Sequence, residues 1–591
     1  MCGIAGCICG KGGNAVPDVY EGLKRLEYRG YDSAGIAAVT DDGVTVVKKR
    51  GVVEKLFPHI GGMKGEIAIA HTRWATHGKP SDTNAHPHVS GGICLVHNGI
   101  IENYCELKEK LSREGETFLS ETDSEVIAVL FKRNYSGSLT DALIKTVKEL
   151  KGSYALMVIC KEEHKIAVAK YKSPLIIGYG KDRIYCASDE PALAGKCSEI
   201  SVLEDGDFAL LSEDGAEIFD SRLRPVARKK QPNRAVSAEL SLGGYPHYML
   251  KELHEVPASV KNTFSAFSGV ESEIVKTFSG VKRIIVTGCG TAYHAGLVGK
   301  RYFESFAGIP TDAETAGEFR YSEPVITDGT VVVAISQSGE TADTVEAARL
   351  ALSRGAKVVA VTNSPYSALT RLACVTVPVA AGAEICVAAT KSYTGQIAAL
   401  YLTALAVAGE TADGERAARL ADMPALCAKT IENVNVSSLA HMCAKSKGVY
   451  FMGRDLDYAV AREGSLKLKE VSYIPSEGYP AGELKHGTLA LISPKTVSVV
   501  IITDKALAEK SVNAVEQVLA RKGKAAVITN VDDVEDDLKG RAEIVRLPRC
   551  DKFLAPLAAA VAVQELAYRT AVKLRRNPDK PRNLAKSVTV E

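Results

Sequence analysis

The spacing of apolar positions changes character near residue 250. Before it, short alternating runs predict strands at Ile4–Ile8, Ser33–Val39, Val44–Lys49, Glu66–His71, Ile93–His97, Tyr154–Cys160 and Lys165–Ala169. Helical spacing interrupts them at Val19–Leu26, Glu102–Glu114 and Glu125–Arg133. Many strands with helices in separate runs predict a layered α+β domain. After residue 250, strand, Gly-rich turn and helix alternate, with strands at Arg283–Thr287, Thr330–Ile335, Lys357–Thr362 and Val375–Val379. The same texture returns at Gly448–Met452, Val497–Thr503, Ala525–Thr529 and Glu543–Leu547. Two tandem α/β domains with parallel sheets follow. The basic, Pro-containing stretch Asp220–Asn233 reads as a linker. The expected division is residues 2–220, a linker over 221–248, then 249–430, 431–580 and a tail over 581–591.

Composition narrows the function classes. A chain of 591 residues holds about three or four domains. At 46% apolar and 24% charged residues, each can bury a core. A formal net charge of +2 gives no basic footprint for nucleic acid. Fourteen cysteines form no regular framework, and neither CxxC nor HxxxH spacing suggests zinc. Reduced thiols and a cytoplasmic location are expected. The opening residues lack the basic flank of a signal peptide. The runs Ile397–Gly409 and Phe553–Val563, flanked by Gln396 and Gln564, are shorter than the ~20 residues that cross a bilayer. They read as buried helices.

Candidate chemistry begins at Cys2. Trimming of Met1 would leave a thiol and an α-amine on one residue. An amine with a pKa of roughly 7.7–8 accepts a proton from a thiol near roughly 8.5, which makes a nucleophile and its base together. The alternative is a small buried cysteine in a first strand. In His71-Thr72-Arg73-Trp74-Ala75-Thr76-His77-Gly78, Arg73 could clamp a carboxylate, and Trp74 is the sole tryptophan. In His97-Asn98-Gly99, a side-chain amide and a backbone N–H offer two oxyanion donors, or else an ordinary Asn-Gly hairpin turn. In Ser120–Glu125, Asp123 could hold a ligand ammonium or cap the following helix.

The C-terminal half carries a second set. Strand Thr330–Ile335 runs into Ser336-Gln337-Ser338-Gly339-Glu340-Thr341, whose hydroxyls and N–H groups suit phosphate, or a capped helix. Strand Arg283–Thr287 leads to Gly288-Cys289-Gly290-Thr291, which is not the dinucleotide fingerprint. Glu463, Lys467 and Glu470 share one helix face, either as a surface ion-pair stripe or as a site. His486 lies in a Gly-flanked turn and suits proton shuttling. Lys586 lies in a terminal segment of a kind that is normally frayed.

Taken together, residues 2–230 resemble the glutamine amidotransferase domain with an N-terminal nucleophile, with Tyr28–Ser33 and Asn84-Ala85-His86-Pro87 adding to the match. Ser336–Thr341, Glu463–Glu470, Gly482–Gly487 and the 581–591 tail resemble the two sugar-isomerase (SIS) domains of the isomerising glutamine:fructose-6-phosphate aminotransferases. The resemblance implies that Cys2 attacks the glutamine amide while Asn98 and Gly99 hold the oxyanion. Arg73, Trp74, His77 and Asp123 would bind glutamine. Ser336, Gln337, Ser338, Thr341, Thr291 and Lys467 would serve the sugar phosphate. Lys586 would form a Schiff base, Glu470 would move the proton between C1 and C2, and His486 of a neighbouring subunit would assist ring opening. Glu463 would support the site. Trp74 and the tail would gate an ammonia channel.

Neither a metal nor an organic cofactor enters this scheme, and a homodimer or larger homo-oligomer is implied. Ala292 and Ala389 depart from the serines expected there. Three alternatives fit less well. Asparagine synthetase lacks its SGGxDS loop here. A phosphoribosyl amidotransferase lacks its diphosphate motif. A sugar-phosphate sensor leaves the N-terminal set unexplained. No long interdomain insertion of the kind many eukaryotic relatives carry is evident, which favours a bacterial enzyme.

Overall fold

A computed structural model describes residues 2–236, 240–409 and 418–589. The chain forms two compact units, Met1–Ser241 with Ala585–Glu591, and Leu242–Leu584.

The first unit is built on two antiparallel sheets. The larger runs Lys230–Pro232, Glu199–Val202, Ile176–Tyr179, Arg183–Ala187, Gly3–Cys9, Ile67–Arg73, Ser33–Thr40 and Gly43–Arg50. The smaller runs Gly215–Phe219, Phe208–Ser212, Ile166–Tyr171, Gly152–Ile159, Ile93–Ile101 and His88–Ser90. Ile4, Ile8, Ile67 and Ile69 of one sheet share a core with Val96, Met157, Ile159 and Val168 of the other. Period-2 alternation supplies these inward faces. The opposite face of the smaller sheet packs on helices Ser124–Asn134 and Leu139–Glu149 through Leu95, Leu156, Val126, Phe131 and Leu143. Helix Val16–Arg25 covers the larger sheet, burying Val19 and Leu23. The layered α+β expectation holds. Within the stretch expected as a linker, Lys230–Pro232 pairs antiparallel with Glu199–Val202. Arg228 there donates to both carboxylate oxygens of Asp207 at 2.8 and 2.6 Å.

The second unit contains two five-stranded parallel sheets. Numbering the strands of each sheet in chain order, both follow 2-1-3-4-5. The first runs Thr311–Thr315, Arg283–Gly288, Thr330–Ile335, Lys357–Thr362, Val375–Pro378. The second runs Ser476–Pro480, Gly448–Gly453, Thr496–Ile502, Lys524–Thr529, Glu543–Arg546. The shared order establishes the tandem copies that the texture predicted. Helices Lys391–Ala408, Leu456–Ser472 and Ala555–Lys573 lie in one core that joins Val331 and Val333 of the first sheet to Val497 and Val499 of the second. The two long apolar runs therefore are buried helices. Among the described residues, no helix is long and apolar enough to cross a membrane.

Candidate active sites

Cys2 leads into strand Gly3–Cys9 of the larger sheet. Its entry is fixed by side chains far away in sequence: Thr72 Oγ1 accepts from Gly3 N–H, and Ser188 Oγ accepts from Ile4 N–H, both at 3.0 Å. The Cys2 sulfur accepts the Trp74 N–H at 3.2 Å. Burial pushes the Cys2 thiol up, while the Trp74 peptide and Arg73 pull it back. The Trp74 segment is itself pinned, since Asp32 Oδ2 accepts from Ala75 N–H at 2.9 Å and Asp32 N–H donates to the Arg73 carbonyl. A Cβ on Gly30 would meet the Arg73 carbonyl carbon at 2.7 Å, so only glycine lets the two segments approach.

The Asn98-Gly99 pair is not a hairpin turn. It lies inside strand Ile93–Ile101, opposite Ala155 and Tyr154. Gly99 has φ +140°, and a Cβ there would meet the Ser153 carbonyl oxygen at 2.0 Å. That backbone takes the chain out of ordinary strand geometry beside Asn98. Asn98 Nδ2 donates to the Cys2 carbonyl at 2.9 Å. Asp123 does not cap its own helix. Its Oδ2 accepts from Ile101 N–H at 2.9 Å, at the end of the strand that carries Asn98. Thr122 takes the capping role, its hydroxyl accepting from Glu125 N–H at 3.3 Å. Arg73 is buried, and its Nη2 donates to the carbonyls of His77 and Gly78, while Nη1 has no partner among the described residues. His77 packs edge-on against Tyr104, with ring centroids 5.2 Å apart. Behind these residues lie four buried imidazoles. His71 stacks on His86 at 4.0 Å, His86 meets His88 at 4.5 Å, and His71 Nε2 donates to the His97 carbonyl at 3.0 Å.

The second constellation lies in the other unit. In an open 2-1-3-4-5 sheet, ligands bind beyond the carboxyl ends of the first and third strands, where the order reverses. In the first copy those ends carry Thr291 and the Ser336–Thr341 loop. The loop coils on itself before helix Ala342–Ser353. Ser336 Oγ accepts from Gly339 N–H at 3.0 Å and bonds the Thr341 hydroxyl at 2.9 Å, while Ser338 Oγ accepts from Glu340 N–H at 3.2 Å. Thr341 does not cap the helix with its side chain, so the capped-helix reading fails at that residue. Gln337 faces Asn363 and Thr362, both of which donate to its carbonyl. In the second copy the helix that follows the first strand, Leu456–Ser472, carries a buried acid in its first turn. Asp457 accepts from the N–H and hydroxyl of Thr503, at the end of strand Thr496–Ile502.

Helix Leu456–Ser472 brings Glu463, Lys467 and Glu470 onto one face, as their spacing predicts. The surface-stripe reading fails, because Glu463 and Lys467 side chains are 0% and 1% exposed. Lys467 Nζ lies 2.6 Å from Glu470 Oε2 and 3.5 Å from Glu463 Oε1. The two carboxylates outweigh desolvation and hold Lys467 charged, with its pKa raised. Across the junction of the two copies, Thr291 Oγ1 donates to Glu463 Oε1 at 3.1 Å and His294 Nδ1 donates to Oε2 at 2.8 Å. Sequence reasoning missed His294, although it follows Thr291 by one helical turn and so shares its face. His486 ends the short helix Ala481–His486 and is exposed. Ala292 and Ala389 are half-buried and carry no hydroxyl. Lys586 falls in the Ala585–Glu591 segment that groups with the first unit.

The glutamine amidotransferase domain family matches residues 71–195, and the SIS domain family matches residues 277–406 and 442–561. Over its full length the chain is 44% identical to glutamine–fructose-6-phosphate aminotransferase [isomerizing] of Aquifex aeolicus, 100% of each chain being covered. It is 42% identical to the same enzyme of Clostridium tetani, again with 100% coverage of each. Among solved structures, the C-terminal domain of glucosamine-fructose-6-phosphate aminotransferase from Francisella tularensis is similar at TM-score 0.55 and 33% identity, covering 58% of this chain and 99% of that one. Tagatose-6-phosphate ketose/aldose isomerase from Escherichia coli shares the fold at TM-score 0.51 and 15% identity, covering 58% and 96%. An antiparallel unit that matches the glutamine amidotransferase domain, followed by two parallel SIS sheets and matched end to end at this identity, means that the chain belongs to the glutamine–fructose-6-phosphate aminotransferase (isomerizing) family.

Proposed function

We propose that this chain converts fructose 6-phosphate and glutamine to glucosamine 6-phosphate and glutamate. One observation carries the reading of the first half-reaction. The Cys2 sulfur and carbonyl are held by Trp74 N–H and Asn98 Nδ2, in the arrangement an acyl-transfer nucleophile needs. With Met1 removed, the α-amine of Cys2 takes the thiol proton, and the sulfur attacks the glutamine side-chain amide. Asn98 and the Gly99 N–H stabilise the tetrahedral oxyanion. Buried Arg73, with an unsatisfied Nη1, receives the α-carboxylate. Asp123 receives the α-ammonium, and Trp74 and His77 wall the site. Collapse of the oxyanion expels ammonia, and water then releases glutamate from the thioester.

At the second site, the cup of Ser336, Gln337, Ser338 and Thr341 holds the sugar phosphate. The Thr291 hydroxyl proton is committed to Glu463, so Thr291 serves the phosphate through its N–H at the helix start. Lys586 forms the Schiff base with the ketose carbonyl, Glu470 carries the proton between C1 and C2, and Lys467 lies against Glu470 at 2.6 Å. His486 assists ring opening from a neighbouring subunit of a homodimer or larger homo-oligomer, which its exposure permits. Ammonia in water would be protonated, so it travels a shielded route gated by Trp74 and closed by the tail. The working division is a glutaminase domain over 2–220, a linker over 221–248, SIS domains over 249–430 and 431–580, and the tail over 581–591. The enzyme acts in the cytoplasm.

Incubation with glutamine, with and without fructose 6-phosphate, tests this reading. It predicts glutamate in both tubes and amino sugar only with the phosphate ester. Glutamate in neither tube overturns it.

A further inference from the structure

The structure assigns His294 as a positioning residue for proton transfer at the sugar site, acting through Glu463. The inference rests on the reading of Glu470 as the proton carrier. Glu463 is a fully buried carboxylate at the junction of the two SIS copies. An ionised carboxylate there persists only if its oxygens are satisfied. Its partners come from two elements. Thr291 and His294 reach it from helix Thr291–Tyr302, at 3.1 and 2.8 Å. Lys467 reaches it from one turn along its own helix, at 3.5 Å.

The partners are not equivalent. Thr291 lies at the mouth of the phosphate cup, and its hydroxyl has a single proton. Lys467 is shared with Glu470, to which it lies closer. His294 is buried, and its Nδ1–H has a carboxylate oxygen of Glu463 to itself. Its bond is the one that persists whatever the sugar phosphate does to Thr291. Without it, Glu463 Oε2 loses its donor, and the nearest mobile cation is the Lys467 ammonium. Rotation of that ammonium toward Glu463 takes it from Glu470. His294 therefore fixes Glu463, Glu463 sets where Lys467 sits, and Lys467 sets the carboxylate that moves the proton. Neither His294 nor Glu463 needs to touch the sugar.

The test uses the full-length enzyme and the variants His294→Leu and His294→Asn. Asparagine places an amide N–H close to where Nδ1 stands, so it restores the donor without an imidazole. His294→Leu is expected to lower kcat for amino-sugar formation about 10- to 100-fold, the scale of a misplaced catalytic group. KM for fructose 6-phosphate and the rate of glutamine hydrolysis should stay near wild type, and His294→Asn should recover most of kcat. Wild-type kcat in His294→Leu overturns the inference. So does an equal loss in His294→Asn, or a rise in KM alone. Glu470→Gln separates the layers. Full synthesis by Glu470→Gln overturns the underlying site reading. An inactive Glu470→Gln beside a fully active His294→Leu overturns only the role of His294.

Discussion

The Asn98 side-chain amide donates to the Cys2 carbonyl at 2.9 Å. That bond spends one of two amide protons and fixes the rotation of the group, which leaves the other proton for charge developing at the substrate. Asn98→Ala should therefore cost about 2.7–4 kcal/mol of activation energy, or about 10²–10³-fold in kcat for glutamine hydrolysis. KM for glutamine should barely move, because the donor acts on the oxyanion and not on the bound ground state. Steady-state kinetics decide it, and a rise in KM at constant kcat would place Asn98 in binding instead.

Gly339 has φ +64°, and a Cβ there would sit 1.9 Å from Ser367 Oγ. Gly339→Ala must displace the loop that presents Ser336, Ser338 and Thr341. Strain of about 1–3 kcal/mol should raise KM for fructose 6-phosphate about tenfold or more. Glutamine hydrolysis measured without sugar should be unchanged. An unaltered KM would mean the cup does not hold the phosphate.

These two positions also mark where the sequence was legible. Alternating strands such as Ser33–Thr40 and apolar parallel strands such as Thr330–Ile335 announce themselves, because burial dictates their pattern. The edge strands Thr311–Thr315 and Ser476–Pro480 do not. Their sequences, TDAET and SEGYP, face water along one side and carry polar residues or proline. Helix Leu139–Glu149 had a usable signal in its Ser138 cap, which accepts from Asp141 N–H. Local motifs singled out Cys2, Asn98 and the Ser336 loop as candidates. They could not choose between turn and strand at Asn98, or between surface and core at Glu463, since burial of one segment depends on distant ones. The supports Ser188, Asp32 and His294 are tertiary pairings, invisible without the fold.

Trp74 contributes its backbone N–H to the Cys2 sulfur, and that bond survives any side-chain truncation. Trp74→Ala should keep glutamine hydrolysis within about threefold of wild type, while amino-sugar formation falls well below glutamate release. The ratio of the two products reports it directly. Equal loss of both rates would sink the gating role.

The imidazole cluster makes the first unit sensitive to acid. Burial pushes His71 down to about 3 from the ordinary 6.5, and His86 and His88 well below the usual range. The folded state thus binds fewer protons than the unfolded chain between those values. Stability present at neutral pH is lost as pH falls through 6.5 toward 3. Trp74, the single tryptophan, reports on this unit alone. Its fluorescence-detected melting midpoint should drop by at least about 5 °C between about pH 7 and pH 5. A midpoint that is flat or rises over that range would show that the cluster is protonated in the fold.

In the proposed reaction the sulfur at position 2 works with the amine of its own residue. Its most direct test is mass spectrometry of the purified chain after exposure to an electrophilic glutamine analogue. The predicted result is an N-terminal peptide that begins at Cys2, carries one label on its sulfur, and accompanies complete loss of glutamine hydrolysis. A chain that retains Met1 and hydrolyses glutamine at full rate, or a label on any other cysteine, would contradict it.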